Sequence, residues 1–221
     1  MKKVIIVGGL VALLAAIALI VPWPATESAA DDVPFEADTS HVTAQPEVAV
    51  QHEGFEEISR PTPNFDPDKR NAVKGVILHH TAEPTVERSL EILTGHERCV
   101  GTHCVIDTDG TRYILCEPEV VTYHAGWSVL NGEEGCNNFT IGIEFQGNTL
   151  ELPLTEEQIY SAIEYLRPIM AKYQIPVSNV VTHEMVRAAY KQKYPKKRCS
   201  GKVDITPTEY KRFMEVLEKE L

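Results

Sequence analysis

Two histidines in this 221-residue chain follow short apolar runs that are typical of buried strands. His79 comes directly after Val76–Leu78, and His183 comes directly after Val180–Thr182. A strand that ends in histidine places an imidazole at the edge of a sheet, where ligand and metal sites lie in α/β folds. A lone His-His pair such as His79-His80 more often holds one hydrogen-bonded and one solvated ring. Two strand ends together, however, supply two ligands of a catalytic zinc site that keeps one position open for water.

A third zinc ligand has two candidates, Cys199 and Asp204. Both lie in the loop before the last predicted helix, and each follows a lysine by two places, in Lys197-Arg198-Cys199 and Lys202-Val203-Asp204. Cys199 is otherwise a structural or disulfide-bonded thiol, and Asp204 is otherwise a solvated turn residue. The residues alone leave both candidates open.

Hydrophobic periodicity and capping residues predict the elements that would position these side chains. We predict an α/β fold in which helices flank a central mixed β-sheet. The predicted helices are Thr85–His96, Thr155–Tyr173 with a perturbation at Pro168, and a terminal helix capped by Thr206. The predicted strands are Val76–His79, a hairpin of Val100–Ile106 and Thr111–Leu115 around Asp107–Gly110, Phe139–Phe145 and Asn179–Thr182.

The N-terminal region is predicted to direct export. Two lysines precede the apolar run at residues 4–22, and small residues at 28–30 suit signal cleavage. Residues 1–30 are therefore a signal peptide or, because 4–22 is about long enough to span a bilayer, an anchor in the cytoplasmic (inner) membrane. Both alternatives place the domain outside the cytoplasm, in the periplasm or cell envelope. Residues 31–69 are predicted to be an acidic disordered linker, and residues 70–221 the folded catalytic domain.

Composition limits the partners. A net charge of −11 argues against binding nucleic acid, because no basic face could dominate it. We expect a monomer. Five cysteines in an exported chain suggest up to two disulfides, with the pairing open.

An ordered set of motifs resembles the zinc-dependent N-acetylmuramoyl-L-alanine amidases of type 2, which are related to peptidoglycan recognition proteins and phage amidases. The similarity runs from about Val73 to the C-terminus. It implies a mixed sheet flanked by helices, one Zn²⁺ per domain, and cleavage of the amide between N-acetylmuramic acid and L-alanine in peptidoglycan or a muropeptide. The motifs are His79-His80-Thr81, Tyr123–Trp127, Cys136–Glu144, His183 and Lys202–Asp204.

The resemblance also implies roles in catalysis. His79 and His183 match the first two zinc ligands, and we favour Asp204 over Cys199 as the third, although some branches use cysteine. Glu144 matches an acidic residue that activates water, and it is the better base here because Thr102 stands where phage-type relatives carry a catalytic tyrosine.

The resemblance also implies residues that bind the substrate and the reaction intermediate. Lys202 would hydrogen-bond the oxyanion of the tetrahedral intermediate. His124 and Trp127 would line the glycan-peptide groove, and His103 points either into the site or to the shell behind it.

Two rival hypotheses stay in view. Recognition proteins of this family that lack a zinc ligand hold a muropeptide without cutting it, but this chain has candidates for every ligand. A Cys-His hydrolase would need a cysteine near a helix N-terminus with a histidine beside it, and no cysteine here has that context clearly.

Overall fold

A computed structural model describes residues 54–197 and 204–221 of the chain. In this part of the chain, three strands precede the first α-helix, six lie between the first and the second, and one lies between the second and the third. The strands are β1 (Glu57–Ser59), β2 (Phe65–Arg70), β3 (Gly75–His80), β4 (Cys104–Ile106), β5 (Arg112–Ile114), β6 (Val120–Thr122), β7 (Val129–Leu130), β8 (Glu133–Glu134), β9 (Thr140–Phe145) and β10 (Val180–Thr182). The helices are α1 (Val86–Thr94), α2 (Glu156–Tyr173), α3 (His183–Lys193) and α4 (Pro207–Glu220).

The main sheet has six strands in the order β1-β5-β4-β9-β3-β10. Only β4 and β5, the two arms of the hairpin, run antiparallel, and the other neighbours are parallel. Because β3, β9 and β10 are parallel neighbours, their carboxyl ends meet at one edge of the sheet. The predicted class, a central mixed sheet flanked by helices, is confirmed.

The two faces of the sheet pack against different helices. Alternate residues of β3 and β9 enter the main core with α2 and α4, because successive side chains of a strand point to opposite faces. On the other face, Ile77 and Val181 pack with Val186 of α3. Val105 of β4 packs there with residues of α1.

Local capping signals locate the helices well. Thr85, Thr155 and Thr206 each accept a hydrogen bond from a backbone N–H of the first helical turn, and Thr155 with Gln158 forms a full capping box. Helix α2 continues through Pro168 to Tyr173. The hairpin, the strand that contains Glu144 and the strand before His183 are also confirmed, with shorter bounds than predicted.

The predicted linker is wrong at its C-terminal end, because residues 57–59 and 65–70 form β1 and β2. The pairing partner of β1 is β5, far along the chain, and Glu57 forms an ion pair with the buried Arg112 at 3.0 Å. An acidic residue that looks solvated in sequence thus pairs with a distant arginine. The linker prediction for 31–53, and the signal or anchor prediction for 1–30, lie outside the described residues. Within the described ranges, none of the helices combines the length and apolarity needed to cross a bilayer.

The four cysteines that the structure describes, Cys99, Cys104, Cys116 and Cys136, are free thiols. None of the suggested disulfides therefore forms among these four cysteines. Cys104 is fully buried in the main core with its strand neighbours, whereas Cys99 is exposed. Cys199 lies outside the described residues.

Candidate metal centre

Three side chains with metal-binding atoms converge at the carboxyl edge of the sheet: His79, His183 and Asp204. Each offers one ligand atom, and these atoms all lie within 4.8 Å of one another. Nδ1 of His183 is 2.9 Å from Oδ2 of Asp204, and Nδ1 of His79 is 3.7 Å from Oδ1 of Asp204. His79 and Asp204 are buried, while His183 is partly exposed. The two strand-end histidines therefore meet, and the carboxylate lies between their Nδ1 atoms.

Secondary structure fixes each of these side chains. His79 is near the end of β3, and His183 is the first residue of α3, whose N-cap Thr182 ends β10. Asp204 is two residues before Thr206, the N-cap of α4. The sequence predicted no helix after His183, although Thr182 accepts the hydrogen bond of an N-cap from Met185.

A hydrogen-bonded bridge ties the Asp204 segment to β3. The Thr149 N–H donates to Nδ1 of His80 at 3.1 Å, and the Thr206 N–H donates to Oγ1 of Thr149 at 3.1 Å. His80 is itself buried, on the face of β3 opposite to His79. The bridge holds the chain beside Asp204 in register with the strand that carries the first histidine.

His124 lies behind His79 and determines which ring nitrogen of His79 carries the proton. Nδ1 of His124 is 3.2 Å from Nε2 of His79, and Nε2 of His124 is 3.4 Å from the Thr140 carbonyl oxygen. That carbonyl can only accept, so His124 carries its proton on Nε2 and accepts from Nε2–H of His79. Nδ1 of His79, the atom that faces Asp204, is then without a proton and ready to bind a metal. Burial, and to a lesser extent the neighbouring histidines, hold the pKa of His124 well below its usual range.

Gly142 makes room for His124. A Cβ atom at this position would lie 2.7 Å from Cγ of His124 and 2.8 Å from Oγ1 of Thr102. Contacts this short are not sustained between real side chains, so only glycine lets the His124 ring lie flat against β9. The glycine of Ile-Gly-Ile-Glu is therefore part of the support for His79.

His103 occupies a position behind His124 rather than in contact with solvent. Its Nε2–H donates to the Val120 carbonyl at 2.9 Å, and its Nδ1 accepts from the Gly142 N–H at 3.0 Å. The residue is fully buried, and burial lowers the pKa of His103 to about 4. Of the two orientations that the sequence left open, the structure gives the supporting one, since both ring nitrogens are bonded to backbone.

Glu144 faces the three metal-binding side chains from the neighbouring strand. It pairs with His79 in the register of β9 and β3, so the two side chains point to the same face of the sheet. Glu144 is 8% exposed, and its Oε2 is buried without a hydrogen-bond partner in the described part of the chain. Burying a polar atom in this way costs about 1–3 kcal/mol. That cost is typical of a group retained for chemistry rather than for stability.

A cavity of about 400 Å³ opens beside these residues. His79, His124, Glu144 and His183 lie in its wall, together with Thr81 and Tyr123 of the motifs and with residues that sequence reasoning did not single out. Trp127, expected to line a groove, lies outside the lining of this cavity and is 65% exposed. Lys202, like Cys199, is outside the described residues. The additional lining residues are Ala82, Glu83, Ser89, Ile92, Leu93, Arg98, Val100 and Gly101.

Comparison with known families gives one match that covers most of the folded region. The sequence profile described as N-acetylmuramoyl-L-alanine amidase (Amidase_2) matches residues 69–202. These residues include His79, Glu144 and His183, and the match ends two residues before Asp204.

Curated relatives match over shorter segments. The 1,6-anhydro-N-acetylmuramyl-L-alanine amidase AmpD of Haemophilus influenzae is 38% identical over 87 residues, which are 38% of this chain and 46% of the relative. The N-acetylmuramoyl-L-alanine amidase AmiD of Escherichia coli K12 is 28% identical over 126 residues, which are 50% of this chain and 45% of the relative. The chain thus spans about half the length of the curated relatives it matches.

Solved structures share the fold at low sequence identity. A selenomethionine derivative of AmpD superposes with a TM-score of 0.54 at 22% identity, over 72% of this chain and 93% of that one. The catalytic domain of XlyA gives 0.52 at 19% identity, over 73% of this chain and 99% of that one.

Proposed function

Because the chain belongs to the N-acetylmuramoyl-L-alanine amidase family, we propose that it hydrolyses the amide between N-acetylmuramic acid and L-alanine of the peptidoglycan stem peptide. The observation that carries this proposal is the grouping of His79, His183 and Asp204 beside a buried carboxylate oxygen of Glu144 that has no hydrogen-bond partner among the described residues. Two imidazoles and a carboxylate suit a metal, and a carboxylate across the cavity suits proton transfer.

The donor set fits one zinc ion. Ligand atoms around a tetrahedral zinc lie about 3.4 Å apart, given bonds of about 2.0–2.2 Å. The distances of 2.9 Å and 3.7 Å from Asp204 to the two histidines lie on either side of that value. We propose His79, His183 and Asp204 as the ligands, with Cys199 as the alternative to Asp204. Zinc, when bound, supplies Lewis acidity for the scissile carbonyl and acidity for water.

Glu144 is the proposed general base and acid. Its carboxylate accepts a proton from the attacking water as oxygen bonds to the carbonyl carbon. The same carboxyl group then delivers that proton to the departing nitrogen of L-alanine as the C–N bond breaks. The products are a carboxylic acid on the muramic acid side and a free amino group on the peptide.

The remaining groups orient the ligands and the reacting atoms. His124 holds His79 through the Nε2–H to Nδ1 hydrogen bond, and His103 supports His124 from behind. Lys202 is proposed, from the resemblance, to donate a hydrogen bond to the oxyanion. The cavity between α1 and β9 would hold the start of the stem peptide.

Cellular placement is also a proposal. We propose that residues 1–30 export the chain as a signal peptide or an inner-membrane anchor, and that residues 31–53 act as a linker. The enzyme would then meet its peptidoglycan substrate in the periplasm or cell envelope as a monomer.

The test of the proposed function is cleavage of a defined substrate. The full-length chain, loaded with zinc, is incubated with N-acetylmuramoyl-L-alanyl-D-isoglutamine, and mass spectrometry follows the release of a peptide that begins with L-alanine. We expect release that stops when a chelator removes the metal. Binding without release would favour a recognition module, and activity indifferent to chelator would contradict the zinc proposal.

A further inference from the structure

An aromatic cluster, in which Trp127 is exposed and Tyr190 is buried, has no role in the proposed chemistry. We call Trp127, Tyr190, Tyr194 and Lys197 the aromatic platform. The Trp127 and Tyr190 rings are stacked, with centroids 5.6 Å apart and planes inclined by 29°. The Tyr190 and Tyr194 centroids are 4.8 Å apart, and the Lys197 ammonium is 4.6 Å from the Tyr194 centroid.

Within the part of the chain that the structure describes, the outer face of Trp127 is open. The Lys197 ammonium is 5.4 Å from the Trp127 centroid and 5.8 Å from the Tyr190 centroid. The ammonium and the two ring centroids therefore form a nearly equilateral triangle, because the centroids are themselves 5.6 Å apart. The ammonium thus lies at the side of the stack. A cation on the outer face of Trp127 would be almost twice as far from Tyr190. Trp127 is accordingly 65% exposed.

The platform continues from the candidate metal centre along α3. Tyr190 is seven residues after His183, which is about two helical turns, so both side chains lie on the same face of the helix about 10 Å apart along its axis. Trp127 is three residues after His124, which lines the cavity. A polymer that enters the cavity at His183 would therefore reach the platform if it followed α3.

The chemistry of the platform suits a carbohydrate. A pyranose ring has an apolar face that can stack on indole and a polar rim that can hydrogen-bond. The stack fixes the Trp127 ring before any ligand arrives, which lowers the ordering cost of binding. The end of α3 is also basic in a chain whose net charge is −11, and peptidoglycan stem peptides carry carboxylates. The lysines are Lys191, Lys193, Lys196 and Lys197.

We propose that the aromatic platform is a glycan subsite, which binds the peptidoglycan strand at a saccharide beyond the muramic acid that is cleaved. This inference rests on the proposed function and refines its substrate class: the enzyme acts on polymeric peptidoglycan in preference to a single soluble muropeptide. The sugar stacks on the outer face of Trp127, and Lys197, together with the other lysines at the end of α3, attracts the acidic stem peptides.

The experiment compares two substrates in the full-length, zinc-loaded chain. Turnover is measured on insoluble cell-wall peptidoglycan and on soluble N-acetylmuramoyl-L-alanyl-D-isoglutamine, and the ratio of the two is taken. For Trp127→Ala we expect this ratio to fall about three- to tenfold, the effect of one aromatic stacking contact. Trp127→Phe, which keeps a stacking ring, should restore most of the ratio. Leu152→Ala, a change at a site that is 73% exposed and outside the platform, should match the unchanged chain.

Cosedimentation with insoluble peptidoglycan separates this inference from the proposed function. The measurement uses Glu144→Gln with and without Trp127→Ala, so that it does not depend on cleavage. Weaker sedimentation of the double variant supports the platform even if the unchanged chain cuts neither substrate. If the ratio of the two turnover rates and the sedimentation both stay unchanged in the Trp127→Ala variants, the glycan subsite is overturned. Binding of a protein partner to the platform in place of peptidoglycan would overturn it as well.

Discussion

Along β9, the side chains of Ile141, Ile143 and Phe145 enter the core under α2 and α4, whereas Gly142 and Glu144 lie on the face of the sheet that carries the histidines. The same alternation holds on β3, where the core takes one set of side chains and the other set includes His79. The apolar face contributes to the free energy of folding through close packing of its side chains. The polar face keeps a buried carboxylate oxygen that has no partner in residues 54–197 and 204–221, and it packs against His103 and His124, whose pKa values are lowered by burial. One strand therefore supplies stability on one side and chemistry on the other.

The largest expected effect lies on the polar face. Glu144→Gln keeps the shape of the side chain but removes its basicity, so we expect turnover to fall by about two to four orders of magnitude. Zinc content, measured by atomic absorption, should stay at one per chain, and the free energy of unfolding should hardly change. Near-normal turnover would assign Glu144 to structure alone.

The matched change on the apolar face is Ile141→Ala. Deleting this buried side chain should lower the free energy of unfolding by about 2–5 kcal/mol. Turnover per folded molecule, normalised by the folded fraction from circular dichroism, should stay close to that of the unchanged chain. If Glu144→Gln and Ile141→Ala each lowered both turnover and the free energy of unfolding, the assignment of chemistry to one face of β9 and stability to the other would be wrong.

Acid should weaken the fold through His103. Its pKa is about 4 in the folded chain and about 6.5 when exposed, so the unfolded chain takes up a proton first as the pH falls. Stability that is present above pH 6.5 should be lost between pH 6.5 and 4, by about 3 kcal/mol. Urea unfolding of the metal-free chain measures this loss. His103→Asn should show a smaller loss over the same range, and an identical pH dependence in both would contradict the assignment.

The smallest effect tests the support of His79. Gly142→Ala adds a methyl group where the His124 ring lies, so His124 must move away from Nε2 of His79. We expect zinc affinity, measured by competition with a chelator, to fall about 10- to 100-fold. Gly54→Ala is the control, because its added methyl would meet its nearest neighbour at an ordinary 3.9 Å. Equal affinity in all three chains would show that His124 does not orient His79.

The sequence predicted what depends on neighbouring residues. Thr85, Thr155 and Thr206 are local capping signals, and the helices begin where they indicate. The meeting of His79 and His183 was also predictable, because both follow apolar strands and parallel strands share a carboxyl edge.

The sequence did not predict what depends on distant contacts. Strand β1 exists because it pairs with β5, and its acidic Glu57 pairs with Arg112. His103 and His124 look like candidate substrate contacts until their backbone and histidine partners are known. Trp127 was expected in a groove, but its stacking partner Tyr190 lies on a helix that was not predicted.

The central claim is that His79, His183 and Asp204 hold the zinc on which amide cleavage depends. The most direct test measures zinc per chain and turnover side by side in Asp204→Ala and Cys199→Ser. A ligand must be close to the metal and deprotonated, so losing it weakens both metal retention and rate. We expect Asp204→Ala to lose zinc and activity, and Cys199→Ser to keep stoichiometric zinc and most activity. A zinc-free Cys199→Ser beside a zinc-loaded Asp204→Ala would contradict the claim and assign the third ligand to Cys199.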